Sequence, residues 1–361
     1  MPSTSIRSKT RHFIWGLLVV LSAVQMTYAA EENHPELMER IAFGSCAEQF
    51  KSQPVWDAVV AKKPQLFLFL GDNIYADTED MQLMQEKYNQ LGAQPGYMNL
   101  LKTCPVLATW DDHDYGVNDG GEWYPRKVES QKIMLDFFGV PQESIRRTRP
   151  GVYGSFAYGP KGRRVQVILL DTRYFKSRHT KDERPDADKK KLNLVGWYVP
   201  NTDPKSTILG EDQWIWLEEQ LKEPADVRFI GSSIQVIADE KGMESWGNFP
   251  HERKRLYDLI DKTKAKGVVF LSGDVHFTET SKTDAGPYPL YDFTSSSLSV
   301  GFQEWAEAVN SFRVSKRAYA EPTFGFVEIK WGKAPTISLQ AYGEAGQLIF
   351  ENKVSLRELQ P

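Results

Sequence analysis

Five short apolar stretches in this 361-residue chain end in side chains able to bind metal ions or carry protons. They are FGSC, closing on Cys46; LFLFLGDNIYAD, with Asp72 and Tyr75; TWDDHD, with Asp112 and His113; LLDTR, with Asp171 and Arg173; and FLSGDVH, with Asp274 and His276. Brought together, these carboxylates, imidazoles, thiol and phenol are too acidic to sit unpaired, because burying several carboxylates costs many kcal/mol unless protons or cations neutralise them. Cations are the simpler assumption. Hard carboxylate oxygens suit calcium, magnesium or manganese, whereas thiolate, phenolate and imidazole favour iron or zinc, so two unlike ions are expected. Asp72, from the middle of the set, is the natural bridge because it can offer one oxygen to each.

Taken singly, each element has an ordinary explanation. A Gly-Asp pair after a strand serves a turn, a loop histidine such as His113 is solvated, and His276 after an apolar run packs in the core. DDHDYGVNDGGE invites comparison with a calcium-binding loop, but the register fails. Counting from Asp112, position five is Gly116 and position six Val117, where an oxygen ligand and a glycine are required. What chance turns do not produce is the recurrence of such residues at successive strand ends.

The elements that must position them follow from the hydrophobic pattern. Short apolar runs (IAFGSC, LFLFLGD, CPVLATWDD, VQVILLDTR, VRFIGSSIQV, VVFLSGDVH) alternate with amphipathic stretches (VWDAVVAKK, Met81 to Gln90, EDQWIWLEEQLKE, HERKRLYDLIDKTKAKG). That alternation predicts an α/β domain with sheets covered by helices. Strand C-termini gather on one edge of such sheets, where ligands bind. The tail from Ala320 holds three β-like runs in meander spacing, expected to close a second sheet. Residues 176–208 are polar, basic and weakly periodic, and read as a surface excursion near the mouth of the site.

Residues 1–30 carry Arg7, Lys9 and Arg11 before the apolar run Phe13 to Val24, with small residues at Ala29 and Ala30, the pattern of a secretory signal. The apolar run is short for a spanning helix, although a retained anchor is the alternative. The rest, residues 31–361, is expected to be an exported domain of 41 basic and 48 acidic residues with no stable membrane span after cleavage. No basic tract stands out, so nucleic acid is not the expected partner. Export leaves two readings for Cys46 and Cys104: a disulfide, or a thiolate ligand at Cys46 with a buried, unpaired Cys104.

LGDNIY, WDDHD and SGDVH resemble motifs of the calcineurin-like metallophosphoesterases. With FGSC in place of the usual first aspartate motif, and with LDTRYF, LGEDQWIWL, SWGNFPHERKRL and DFTSSSLS, the chain is similar to the PhoD-like (alkaline phosphatase D) branch over Ile41 to Ser299. The resemblance implies two packed mixed β-sheets flanked by helices and an iron-plus-calcium type centre of two or three ions, with zinc, manganese or magnesium as other possibilities. It implies Cys46, Asp72, Tyr75 and His276 around the iron-like ion and Asp72, Asp112 and Asp274 around the harder one. Gln235 stands where relatives place a further histidine, and Asn118 is a ligand or substrate contact. His113, held by Asp114 or Asp111, is positioned to protonate a leaving alkoxide. Arg173 either binds a non-bridging phosphate oxygen through its fork or pairs on the surface with an acid of residues 176–208.

The leading reading is therefore an exported phosphoric ester hydrolase acting on a small phosphate ester, or on a phospholipid or cell-wall phosphodiester in a phospholipase D-like variant. Two non-enzymatic readings stand beside it. One is a secreted calcium- or phosphate-binding module, which would have no use for His113. The other is a cell-wall interaction domain suggested by ten tryptophans, most of which fall in strand and helix patterns and read as core.

Overall fold

The computed structural model describes residues 33–361; the secretory-signal segment expected at residues 1–30 lies outside them. Two mixed β-sheets pack face to face. The first has seven strands in the spatial order Asn33–His34, Gly154–Tyr158, Val165–Leu169, Val227–Ser232, Val268–Ser272, Leu290–Ser295 and Thr278–Thr283. The second has six: Leu348–Ser355, Thr336–Gly343, Thr323–Lys330, Arg40–Gly44, Leu66–Leu70 and Val106–Thr109. The C-terminal meander joins the second sheet through antiparallel pairing of Thr323–Lys330 with Arg40–Gly44.

The LFLFL run shows how sequence becomes layer. Successive side chains of a strand point to opposite faces. Leu66, Leu68 and Leu70 accordingly enter the core between the sheets beside Val167, Ile230 and Phe270. Phe67 and Phe69 enter an outer core with Trp56, Tyr97 and Phe138 from the covering helices. Both faces are buried, which is why the run is uninterrupted. Helices Val55–Ala61, Met81–Gly92, Pro95–Thr103 and Lys127–Phe137 lie in the first half of the chain, and Gly210–Lys222 and Pro250–Thr263 in the second. Met81–Gly92 starts where Asp80 accepts the backbone N–H groups of Gln82 and Leu83.

Parallel pairing fixes the common edge. Arg40–Gly44, Leu66–Leu70 and Val106–Thr109 run parallel, with Gly44 opposite Phe69 and Phe69 opposite Ala108. In the other sheet Leu169 lies opposite Gly231, and Ser272 opposite both Ser232 and Thr294. The residues just beyond these ends therefore meet. The same register decides between the two cysteine readings. Cys46 follows the C-terminal end of its strand, while Cys104 precedes the N-terminal end of Val106–Thr109, roughly 20 Å away along the strand direction. A disulfide needs Cα atoms within ~7 Å; both cysteines are free and buried.

Two elements depart from expectation. WDDHD is not a bare loop: Asp112–Tyr115 forms one helical turn closed by a reciprocal cap between Asp111 and Asp114. Residues 176–208 contain a two-stranded hairpin, Thr180–Lys181 with Tyr198–Val199, and a short helix Asp186–Lys191.

Candidate metal centre

Four of the converging residues hold left-handed backbone conformations that only glycine adopts freely: Cys46 (φ 60°), Asp72 (φ 49°), Asp274 (φ 70°) and His276 (φ 56°). Such strain persists only where surrounding structure enforces it, and it clusters at functional sites. Gly71, at φ 94°, precedes Asp72 because a Cβ there would meet the Asp111 Cβ at 2.4 Å. The turn after LFLFL thus presses directly against the turn after VLATW.

One cluster is built from Cys46, Asp72, Tyr75 and His276. Asp72 Oδ2 lies 3.3 Å from Cys46 Sγ and 3.2 Å from the Tyr75 hydroxyl, which lies 3.4 Å from His276 Nε2. Ligand atoms of Cys46, Asp72 and His276 all fall within 4.8 Å of one another. The same spacing relates Asp72, Asp112 and His113, then Asp111, Asp112 and Asp274, then Asp112, Asp119 and Glu244. Asp72 and Asp112 are the shared members that make these one continuous centre.

The electrostatics are those of a site short of positive charge. Burial, reinforced by Cys46, pushes the Asp72 carboxyl well above its ordinary range. Burial likewise raises the Cys46 thiol, the Tyr75 phenol and Asp274. Asp111 rises to about 7, burial outweighing the nearby Arg173. Asp72 Oδ1 and Asp111 Oδ2 are buried without a hydrogen-bond partner. Thiol, phenol, imidazole and carboxylate around one point, with orphaned carboxylate oxygens beside them, fit a cation-binding centre: hard oxygens on one side and softer donors on the other.

His113 lies on the wall of a cavity of about 390 Å³ that Asp112, Asn118, Asp274 and His276 also line. Its holder is neither Asp114 nor Asp111. His113 Nδ1 contacts Asp77 Oδ2 at 2.7 Å and Oδ1 at 2.9 Å, and its ring packs on Tyr75. Burial would lower its pKa, but Asp112, Asp72 and Asp77 together raise it to about 11. Asp77 was visible in LGDNIYAD as the second carboxylate, five residues after Asp72, without a role to attach to it.

Three further expectations need correction. Asp114 is fully buried and accepts from the backbone N–H groups of Asp72 (3.2 Å) and Asp111 (2.7 Å) and from the Asn73 side chain (2.5 Å). It ties two site turns together and lies off the cavity wall. Arg173 is neither a free phosphate fork nor a surface partner: fully buried, it donates from Nε to Asp111 (2.5 Å) and from Nη1 and Nη2 to Glu244 (2.8 and 2.6 Å). Gln235 donates to Glu279 and Thr294, and its amide oxygen faces Lys241, so its side chain is engaged in a separate buried network. Asn118 is exposed at the cavity. Glu244, which also holds Lys176 and His179, was missed because nothing local in KGMESWG marks it.

Two packed mixed sheets with ligand-bearing turns at one shared edge define the sandwich of the calcineurin-like metallophosphoesterases. Within that class the family model of the PhoD-like phosphatases matches residues 41–330, and the chain belongs to that family. It is 22% identical over 284 residues to alkaline phosphatase D of Bacillus subtilis (strain 168), covering 68% of this chain and 46% of the relative. The chain thus spans about half the length of that curated relative. Among solved structures, PhoD superposes with a TM-score of 0.64 at 18% identity, covering 91% of this chain and 73% of PhoD. A purple acid phosphatase from yellow lupin (Lupinus luteus) seeds superposes with a TM-score of 0.60 at 12% identity, covering 90% and 55%. At these identities the structural likeness speaks for the fold alone. Among the described residues, no helix is long and apolar enough to cross a membrane.

Proposed function

We propose that this chain is an exported, metal-dependent phosphoric ester hydrolase acting on phosphate mono- or diesters, a phospholipase D-like diesterase being one variant. The observation that carries the reading is the convergence of Cys46, Asp72, Tyr75 and His276 with Asp112 and Asp274, of which Asp112, Asp274 and His276 line the same cavity as His113. Cys46, Asp72, Tyr75 and His276 would hold an iron-type ion, and Asp72, Asp112 and Asp274, with Asn118 nearby, one or two calcium-type ions. When bound, such ions lower the pKa of a water, align it with phosphorus and neutralise the phosphate oxygens.

The remaining work falls to the chain. Protonated His113 donates a proton to the departing alkoxide, a contribution typically on the order of 10²–10⁴-fold. Asp77 accepts a hydrogen bond from the Nδ1–H group, which leaves Nε2 as the nitrogen to donate. Arg173 positions Asp111 and Asp112 from behind, with its charge balanced by Glu244. The test is metal analysis of the purified protein alongside hydrolysis of a chromogenic phosphate monoester and diester. Iron with calcium in stoichiometric amounts, and turnover lost on chelation, are expected; a metal-free protein or chelator-resistant turnover would overturn the reading.

A further inference from the structure

The cavity has a wall that the metal centre does not use. Besides the acidic residues, Trp197 and Trp305 line it, their rings 6.1 Å apart and nearly perpendicular. Trp305 also packs edge-on against His276 at 5.5 Å, so the aromatic surface begins at the metal centre and runs outward. Trp197 is 52% exposed. A large apolar ring left in water beside a cavity is more informative than an isolated exposed leucine, because it loses hydrophobic stabilisation that folding elsewhere secures.

Trp197 is held in place by its backbone surroundings. It belongs to the 176–208 excursion, whose residues Val195, Gly196 and Tyr198 donate to the carbonyls of Lys241 and Gly242 at 2.8–3.1 Å. Gly196 is required for that approach, since a Cβ there would fall 2.0 Å from the Gly242 oxygen. The indole is therefore presented by a pinned strap. The strap also brings charge: residues 176–208 hold eight basic and five acidic residues in a chain of net charge −4. At the cavity, Asp182 pairs with Arg184 at 2.6 Å and Lys189 with Asp186 at 3.7 Å, leaving Lys181 beside Glu183 in the lining. That near-neutral balance repels a negatively charged ester less than the carboxylates of the metal centre do.

We infer that Trp197 and Trp305 form a leaving-group subsite that selects phosphoric esters carrying an aromatic ring over those of small alkyl alcohols. The inference rests on the phosphoesterase reading above and deepens it. A ring entering edge-to-face against Trp197 gains aromatic contact and covers the exposed indole, worth about tenfold or more in relative specificity. An ethyl group offers no ring for that contact.

The experiment compares 2-phenylethyl phosphate with ethyl phosphate, two saturated alcohols of similar basicity, so that the ratio of kcat/KM reports the subsite and not the leaving group. The native protein should prefer the phenylethyl ester about tenfold or more, and Trp197→Ala should bring the ratio towards one. Binding of the non-hydrolysable 2-phenylethylphosphonate and ethylphosphonate, measured by calorimetry on the metal-loaded protein, gives the same comparison without turnover. Discrimination in binding without hydrolysis of either ester would leave the subsite standing and remove the phosphoesterase reading. Equal binding of the two phosphonates, or a Trp197→Ala variant in which the ratio is unchanged or both esters fall alike, would overturn the subsite.

Discussion

His113 and Asp77 are separated by 36 residues and joined by a bifurcated contact of 2.7 and 2.9 Å from one ring nitrogen to both carboxylate oxygens. That pairing makes a sharp distinction between donating a proton and holding a metal. If His113 protonates the leaving group, His113→Ala retains its metals but loses rate in proportion to leaving-group basicity, because a nitrophenolate departs almost unaided and an alkyl alkoxide does not. The expected defect is roughly 10²-fold or more on alkyl esters and much smaller on nitrophenyl esters. Equal losses accompanied by falling metal content would identify His113 as a ligand. Asp77→Asn should reproduce the same substrate dependence in weaker form, since it leaves the imidazole in place and removes only one of the carboxylates that favour its charged form. An Asp77→Asn variant indistinguishable from the native enzyme on both esters would contradict the orienting role. Asp77 shows what local pattern withholds. Its spacing from Asp72 is plain in the sequence, but its partner arrives from another strand end.

At the scale of elements, the strand ends were legible because uninterrupted apolar runs of about five residues mark doubly buried strands, and the polar residue that follows marks the turn. The two-sheet α/β sandwich and the C-terminal meander follow from those runs and are present. What the runs do not encode is which side chains pair across the sheets. Arg173 and Glu244 lie 71 residues apart, and Gln235 meets Glu279 44 residues on, so neither contact leaves a trace in local spacing. The parallel register makes its own prediction: alkylation in denaturant without reductant should label two thiols, and recovery of a Cys46–Cys104 linked peptide would refute it. The strand Thr278–Thr283 supplies a pH test. Burial alone would raise the Glu279 pKa, but Lys241 and Arg313, at 2.8 and 2.6 Å, pull it down to about 2. A carboxyl depressed on folding stabilises the protein fully above its unfolded value of ~4.3, and the contribution disappears as pH falls towards 2. Glu279→Gln should therefore cost about 3 kcal/mol at neutral pH by leaving the buried Lys241 and the partly buried Arg313 without their carboxylate. The gap to the native protein should narrow below pH ~4.5 in thermal melts. A gap independent of pH would assign the loss to packing.

Over the whole molecule, two cores support an edge whose carboxylates repel one another, and the fold tolerates them only with neutralising charge. Some of that charge is built in through Arg173 and Lys176. The rest is what the proposal assigns to metal ions, and Asp72 is where the assignment is most exposed. It belongs both to the cluster with Cys46 and His276 and to the one with Asp112 and His113, and one of its oxygens has no partner. Asp72→Asn keeps the size of the side chain and removes the anionic oxygen, while the sheets that bury LFLFL are untouched. The decisive measurement is elemental analysis of purified Asp72→Asn beside the native protein, with ester hydrolysis and a thermal melt on the same samples. The account predicts a folded, cooperatively melting variant that has lost both classes of metal ion and its turnover. A variant that keeps native metal content and near-native hydrolysis would contradict the bridging role and the centre built around it.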